Sequence, residues 1–71
     1  MPRETIRVYI NDEPHHFPAE QSVAALLATL NVPAERVAIE LNKNIVRKRE
    51  WESTLIGDGA HIEIVEFVGG G

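Results

Sequence analysis

Three glycines, Gly69-Gly70-Gly71, follow an alternating apolar run from Ala60 to Val68 at the end of a sequence of 71 residues. A strand that feeds such a tail presents the carboxylate of Gly71 on a stalk without side chains. That is what a chain needs if its C-terminus is the reactive group. Glycine has no Cβ and reaches backbone conformations closed to other residues, so the stalk can thread a narrow active site. Three residues extend at most about 10 Å. The plainer reading is a frayed chain end. Other groups that could do chemistry are few. His15 and His16 are adjacent, so in a strand they point to opposite faces and cannot chelate one metal together. His61 stands alone in the last apolar run, and no metal site is expected. Asp58 lies between two glycines and reads as a turn residue. No nucleophile, base and orienting group can be assembled, and the glycines lack the strand-to-helix context of a phosphate-binding loop.

The elements that must position the tail fit one domain, residues 1–68, with 69–71 as a flexible extension. A chain this short buries only about 60–65% of its unfolded surface, so its core must be economical. With no cysteine, a disulfide framework, a thiolate zinc site and a cysteine nucleophile are all excluded. Eleven acidic and 7 basic residues give a net charge of −4. That argues against nucleic acid as the main partner, because phosphate neutralisation needs a basic face. A local exception is Lys43, Arg47, Lys48 and Arg49, which reads as a solvated loop or as a docking patch for an acidic partner or an RNA phosphate. The longest apolar stretch, Val23 to Leu30, is too short to span a bilayer. Met1-Pro-Arg-Glu-Thr5 lacks the apolar run of a secretory signal. A cytoplasmic protein that touches no membrane is expected.

Ile6, Val8 and Ile10 alternate with Arg7 and Tyr9, the period of a half-buried strand. Asn11 to Pro14 supplies turn chemistry, and His15-His16-Phe17 returns antiparallel. Ser22 is a good N-cap for Val23, Leu26, Leu27 and Leu30 at helical spacing. This helix should run about nine residues, roughly 13 Å, and stop before Pro33. Val37, Ile39 and Leu41 form a further strand, and Asn42-Lys43-Asn44 turns into Ile45-Val46. Arg49-Glu50-Trp51 reads as a short helical turn that sets Trp51 on the core edge, with Leu55 tucked beneath it. Gly57-Asp58-Gly59 is a tight turn into a last strand over Ala60–Phe67.

Hairpin, helix, strand pair, turn and strand describe an α+β chain: one helix over a mixed sheet of four to five strands, as in a β-grasp or ubiquitin-like roll. The last strand should lie parallel to the first, with the helix and middle strands as the crossover. Ile6, Val8, Ile10, Val23, Leu26, Leu27, Leu30, Val37, Ile39, Leu41, Ile62 and Ile64 would then face inward. Arg7, Tyr9, Glu63, Val65 and Phe67 would face out. A solvated sheet face should be polar. Tyr9, Val65 and Phe67 break that rule near the tail, which points to a docking face or to packing beneath the Arg47–Leu55 segment.

The chain resembles the sulfur carriers of thiamine biosynthesis, in the ThiS/MoaD group of ubiquitin-like proteins. The resemblance rests on the opening strand with its Asn11-Asp12 turn, on Ser22 to Leu27 and on Val37 to Val46. It continues through Arg49-Glu50-Trp51, Leu55, Gly57-Asp58-Gly59 and Val68 to Gly71. It implies that an adenylating enzyme related to ubiquitin E1 uses ATP to convert the Gly71 carboxylate into an acyl-adenylate. Sulfur from a cysteine desulfurase or another donor then displaces AMP, leaving a Gly71 thiocarboxylate, which a thiazole synthase consumes. The chain would bind no cofactor and own no catalytic residue, and would be a monomer when free. Gly69 and Gly70 would thread the partner's active site, while Tyr9, Glu63, Val65, Glu66, Phe67 and Val68 form the docking face. The alternatives are a related carrier or modifier serving tRNA thiolation or molybdopterin synthesis, a modifier joined to lysines, and a non-catalytic binding module.

Overall fold

The computed structural model describes residues 5–67. Residues 1–4, and with them Val68 and Gly69 to Gly71 at the other end, lie outside the described residues. Strands β1 (Ile6–Ile10) and β2 (Glu13–Phe17) form an antiparallel hairpin in which Ile10 faces Glu13. The loop is therefore only Asn11-Asp12, both at positive φ (50° and 72°), the two-residue turn that matches strand twist. A two-residue strand β3 (Gln21–Ser22) leads into helix α1 (Val23–Thr29).

Seven residues suffice for α1, two fewer than the apolar spacing suggests, because both ends are closed early. At the N-terminus the Ser22 hydroxyl accepts a bond from the Ala25 amide at 3.0 Å. At the C-terminus Asn31 turns left-handed (φ 59°), its amide donating to Ala28 O and that of Val32 to Leu27 O. The helix ends at Thr29, with three residues between it and Pro33.

Strands β4 (Val37–Leu41) and β5 (Asn44–Val46) form a second hairpin around Asn42-Lys43, again both at positive φ (51° and 72°). A short 3-10 turn, Lys48–Glu50, precedes β6 (Leu55–Ile56), which pairs with β3 apart from the main sheet. The last strand, β7 (His61–Glu66), is one residue shorter at each end than the strand expected over Ala60–Phe67. It runs down the middle of the sheet, in the order β2-β1-β7-β4-β5, parallel to β1 and antiparallel to β4. One helix on a mixed five-stranded sheet with this order is a β-grasp.

The helix side of the sheet carries the core. Val8, Ile10, Val37, Ile39 and Ile62 meet Val23, Leu26 and Leu27, with Ile6, Leu30, Leu41 and Ile64 partly buried against them. Phe17, Val46, Ile56 and Ala60 join that core without having been expected there. The Arg47–Leu55 segment differs most from expectation. Trp51 is buried (5% exposed) rather than at the edge, and its indole N–H donates to Val46 O at 2.9 Å. Leu55 is not tucked beneath it: Leu55 is 61% exposed, and Ile56 is the residue driven inward. Pairing of Leu55 with Ser22 and Ile56 with Gln21 decides this, since neighbours in a strand face opposite ways.

Candidate functional site: the outer sheet face and the end of β7

Side chains alternate along β7, so Ile62 and Ile64 point to the helix while His61, Glu63 and Val65 point to the open face. Register then fixes their neighbours. Tyr9 lies beside His61, Glu40 opposite Glu63 and Ala38 opposite Val65, with Ile45 flanking Glu40 from β5. The Tyr9 and His61 rings stack at 4.6 Å with an interplanar angle of 14°. Arg7 adds a bond from its guanidinium to the Tyr9 hydroxyl at 3.4 Å, and that contact holds the Arg7 pKa above its ordinary value.

Val65 (54%) and Phe67 (53%) are exposed, as is Ile45 (75%). The Arg47–Leu55 segment does not cover them. It lies at the start of the helix, where Ala24 and Val23 donate their amides to Trp51 O and Thr54 O. Packing beneath that segment is thereby ruled out for this face. Glu63 and Val65 lie together on this face, and Phe67 follows at the strand end with its amide bonded to Arg36 O at 2.7 Å. Tyr9 shares the face but stands beside His61 at the start of β7, away from the tail it was expected to flank. Glu66 departs from the expected set. It is exposed but stands opposite Val37, an inward residue, so it belongs to the helix side of the sheet. Val68, Gly69, Gly70 and Gly71 lie outside the described residues.

Three features of this face carry no signal in the sequence. The first is Ile45, which reaches the face only through the β4–β5 register. Second is the Tyr9–His61 stack, which depends on the parallel register of β1 and β7. Last is an acidic depression lined by Asp12, Glu40, Glu63, His61, Lys43 and Val65. Its two glutamates sit directly across from each other, a juxtaposition that like charges disfavour.

Asp58 stands in the turn that its flanking glycines suggest. Asp58 accepts the Arg7 amide at 2.8 Å and the Gly59 amide donates to Arg7 O at 2.7 Å, which ties the turn before β7 to β1. Gly59 takes φ +84°, where other residues are strained. His15 pairs with Glu13 at 3.5 Å and His16, next in the strand, takes the other side. Among the described residues no three His, Asp or Glu gather as metal ligands, and no helix is long and apolar enough to cross a membrane.

Fold and surface thus define a small β-grasp protein of the ubiquitin-like kind, with an apolar, acid-edged sheet face beside the strand that leads to its C-terminal residues. The sequence profile of the ThiS family matches residues 2–71, and the chain belongs to that family. It is 27% identical over 66 residues to the sulfur carrier protein ThiS of Escherichia coli, covering 93% of this chain and all of that one. It is 41% identical over 66 residues to a thiazole synthase of Paramagnetospirillum magneticum, of whose length it spans only 20%. The crystal structure of a thiamine biosynthesis protein, ThiS, from Geobacter metallireducens superposes with a TM-score of 0.83 at 30% identity. That superposition covers 93% of this chain and 100% of that one.

Proposed function

We propose that this chain is a sulfur carrier for thiazole formation in thiamine biosynthesis, loaded at Gly71. The observation that carries the reading is the ThiS-family match, which runs through residue 71. A carboxylate is a poor electrophile at neutral pH, so the Gly71 carboxylate attacks the α-phosphate of ATP in a partner's site and expels pyrophosphate. The resulting acyl-adenylate has AMP as a good leaving group. The outer sulfur of a donor's persulfide displaces AMP to give an acyl disulfide. A thiol reductant cleaves its S–S bond to leave the thiocarboxylate, and the thiocarboxylate sulfur passes to the forming thiazole. The catalytic groups belong to the partners: an E1-like adenylyltransferase, a sulfur donor such as a cysteine desulfurase, and a thiazole synthase. Support for the last comes from the relative named thiazole synthase, one fifth of which aligns with this chain.

The folded body is needed for energetic reasons. Fixing a backbone residue costs roughly 1–2 kcal/mol, so ordering three glycines in a partner costs about 3–6 kcal/mol. Without side chains, the tail recovers little of this. Tyr9, Val65 and Phe67 supply apolar contact area, and Glu40 and Glu63 favour a partner with facing cations. The test is reconstitution with ATP, the adenylating enzyme and a sulfur donor, read by carrier-dependent pyrophosphate exchange and by mass. The full chain should support exchange and gain one sulfur in place of one oxygen, and a chain lacking Gly71 should do neither. Equal behaviour of the two would overturn the assignment of Gly71.

A further inference from the structure

Strand β7 is the last strand before the C-terminal residues, and its pairing with β1 ends abruptly. Backbone pairing between the two strands covers only Tyr9 with His61 and Ile10 with Ile62, closed by the Asn11 amide on Ile62 O at 2.9 Å. There β1 turns away into its hairpin. The Asn11 side chain takes over: its Oδ1 accepts the Ile64 amide at 2.8 Å and its Nδ2 donates to Ile64 O at 3.2 Å. A side-chain amide thus reproduces the two bonds the next residues of a continuing parallel strand would have made. On the opposite flank β4 holds β7 as far as Glu66, and Arg36 O holds Phe67. Beyond Ile64 no backbone bond to the β1 side is made among the described residues, and the Glu66 backbone faces away from β4 by the alternation of the ladder.

A second asparagine provides the contrast. Asn42, at φ 51° against 50° for Asn11, also opens a two-residue turn and also accepts a β7 amide, that of His61, at 2.9 Å. Its amide donates to His61 O at 2.7 Å. Asn42 therefore grips the beginning of β7, and Asn11 grips it just before the chain exits.

We propose that Asn11 is a positioning residue for the reaction at the chain end: its side chain pins Ile64 and so fixes the line along which Val65 to Phe67 deliver the tail to the partner's active site. This rests on the sulfur-carrier reading given above. Group transfer is sensitive to placement, and a displacement of about 1 Å can cost on the order of a hundredfold in rate.

The test compares Asn11→Gly with Asn42→Gly, because glycine keeps each left-handed turn and removes only the side-chain grip. Asn11→Asp, which keeps the acceptor for the Ile64 amide but loses the donor, serves as an intermediate variant. Hydrogen exchange at Ile64, measured without any enzyme, should quicken about tenfold in Asn11→Gly and not in Asn42→Gly. In carrier-dependent pyrophosphate exchange, Asn11→Gly should lower kcat/KM about tenfold, while Asn42→Gly stays near the parent. Asn11→Asp should fall between. Equal kcat/KM for the two glycine variants, with the parent active, would overturn the positioning role. A parent chain that supports no exchange, with Ile64 still protected by Asn11, would instead remove the carrier reading on which the proposal rests.

Discussion

Trp51 shows how much one residue settles here. Its ring fills the core beneath β5 and its indole N–H satisfies Val46 O at 2.9 Å. Trp51→Phe keeps an aromatic body and removes the indole bond to a buried carbonyl that the Ile39 amide still shares, so urea unfolding should show a loss of about 0.5–1.5 kcal/mol. Lys43 sits at φ 72° in a turn position that favours glycine. Left-handed backbone costs a residue with a Cβ about 1–2 kcal/mol, so Lys43→Gly should raise the unfolding midpoint. An unchanged or lowered midpoint would show that the Lys43 side chain contributes more than its backbone costs. At this scale the sequence is legible where the signal is local. Asn11-Asp12 and Asn42-Lys43-Asn44 read as turns from residue type alone. The grip of Asn11 on Ile64 does not, because it joins positions 53 apart.

Among the elements, period-2 and helical spacing were enough to place β1, α1, β4 and β7, and the β-grasp arrangement that their order suggests set β7 parallel beside β1. They failed at β6. Leu55 and Ile56 are adjacent and equally apolar, and only the pairing with Gln21-Ser22 says which enters the core. The consequence is asymmetric. Ile56→Ala should cost about 2–5 kcal/mol, whereas Leu55→Ser should stay within about 0.5 kcal/mol. Thermal or urea unfolding of the two variants distinguishes this arrangement from its mirror. The facing pair Glu40 and Glu63 belongs to the same scale, since no single strand reveals it. Glu40→Gln should stabilise the free protein by about 0.2–1 kcal/mol while weakening binding to the adenylating enzyme at low salt. A variant that gained stability and kept its salt-dependent affinity would separate the acidic pair from docking.

For the molecule as a whole, the β-grasp leaves Val65 and Phe67 exposed at and just beyond the end of β7, the last strand among the described residues. The candidate face was only partly legible in the sequence. Tyr9, Val65 and Phe67 break the alternation expected of a solvated strand, but Ile45 and the Tyr9–His61 stack arise from register between distant strands. Glu66 was misplaced because charge and proximity to the tail say nothing of the pleat. Phe67→Asp should leave the unfolding midpoint within a few degrees, as the residue is 53% exposed. It should also reduce sulfur loading by the adenylating enzyme, and unchanged loading would remove the docking role of the face.

The most direct test of the carrier reading is the intact mass of the chain purified from its own cells without reductant or acid. A population in which one oxygen is exchanged for one sulfur, mapped to Gly71 and lost on mild hydrolysis, is the predicted result. A mass that stays unmodified there, and stays unmodified after incubation with ATP, the adenylating enzyme and a sulfur donor, would contradict it.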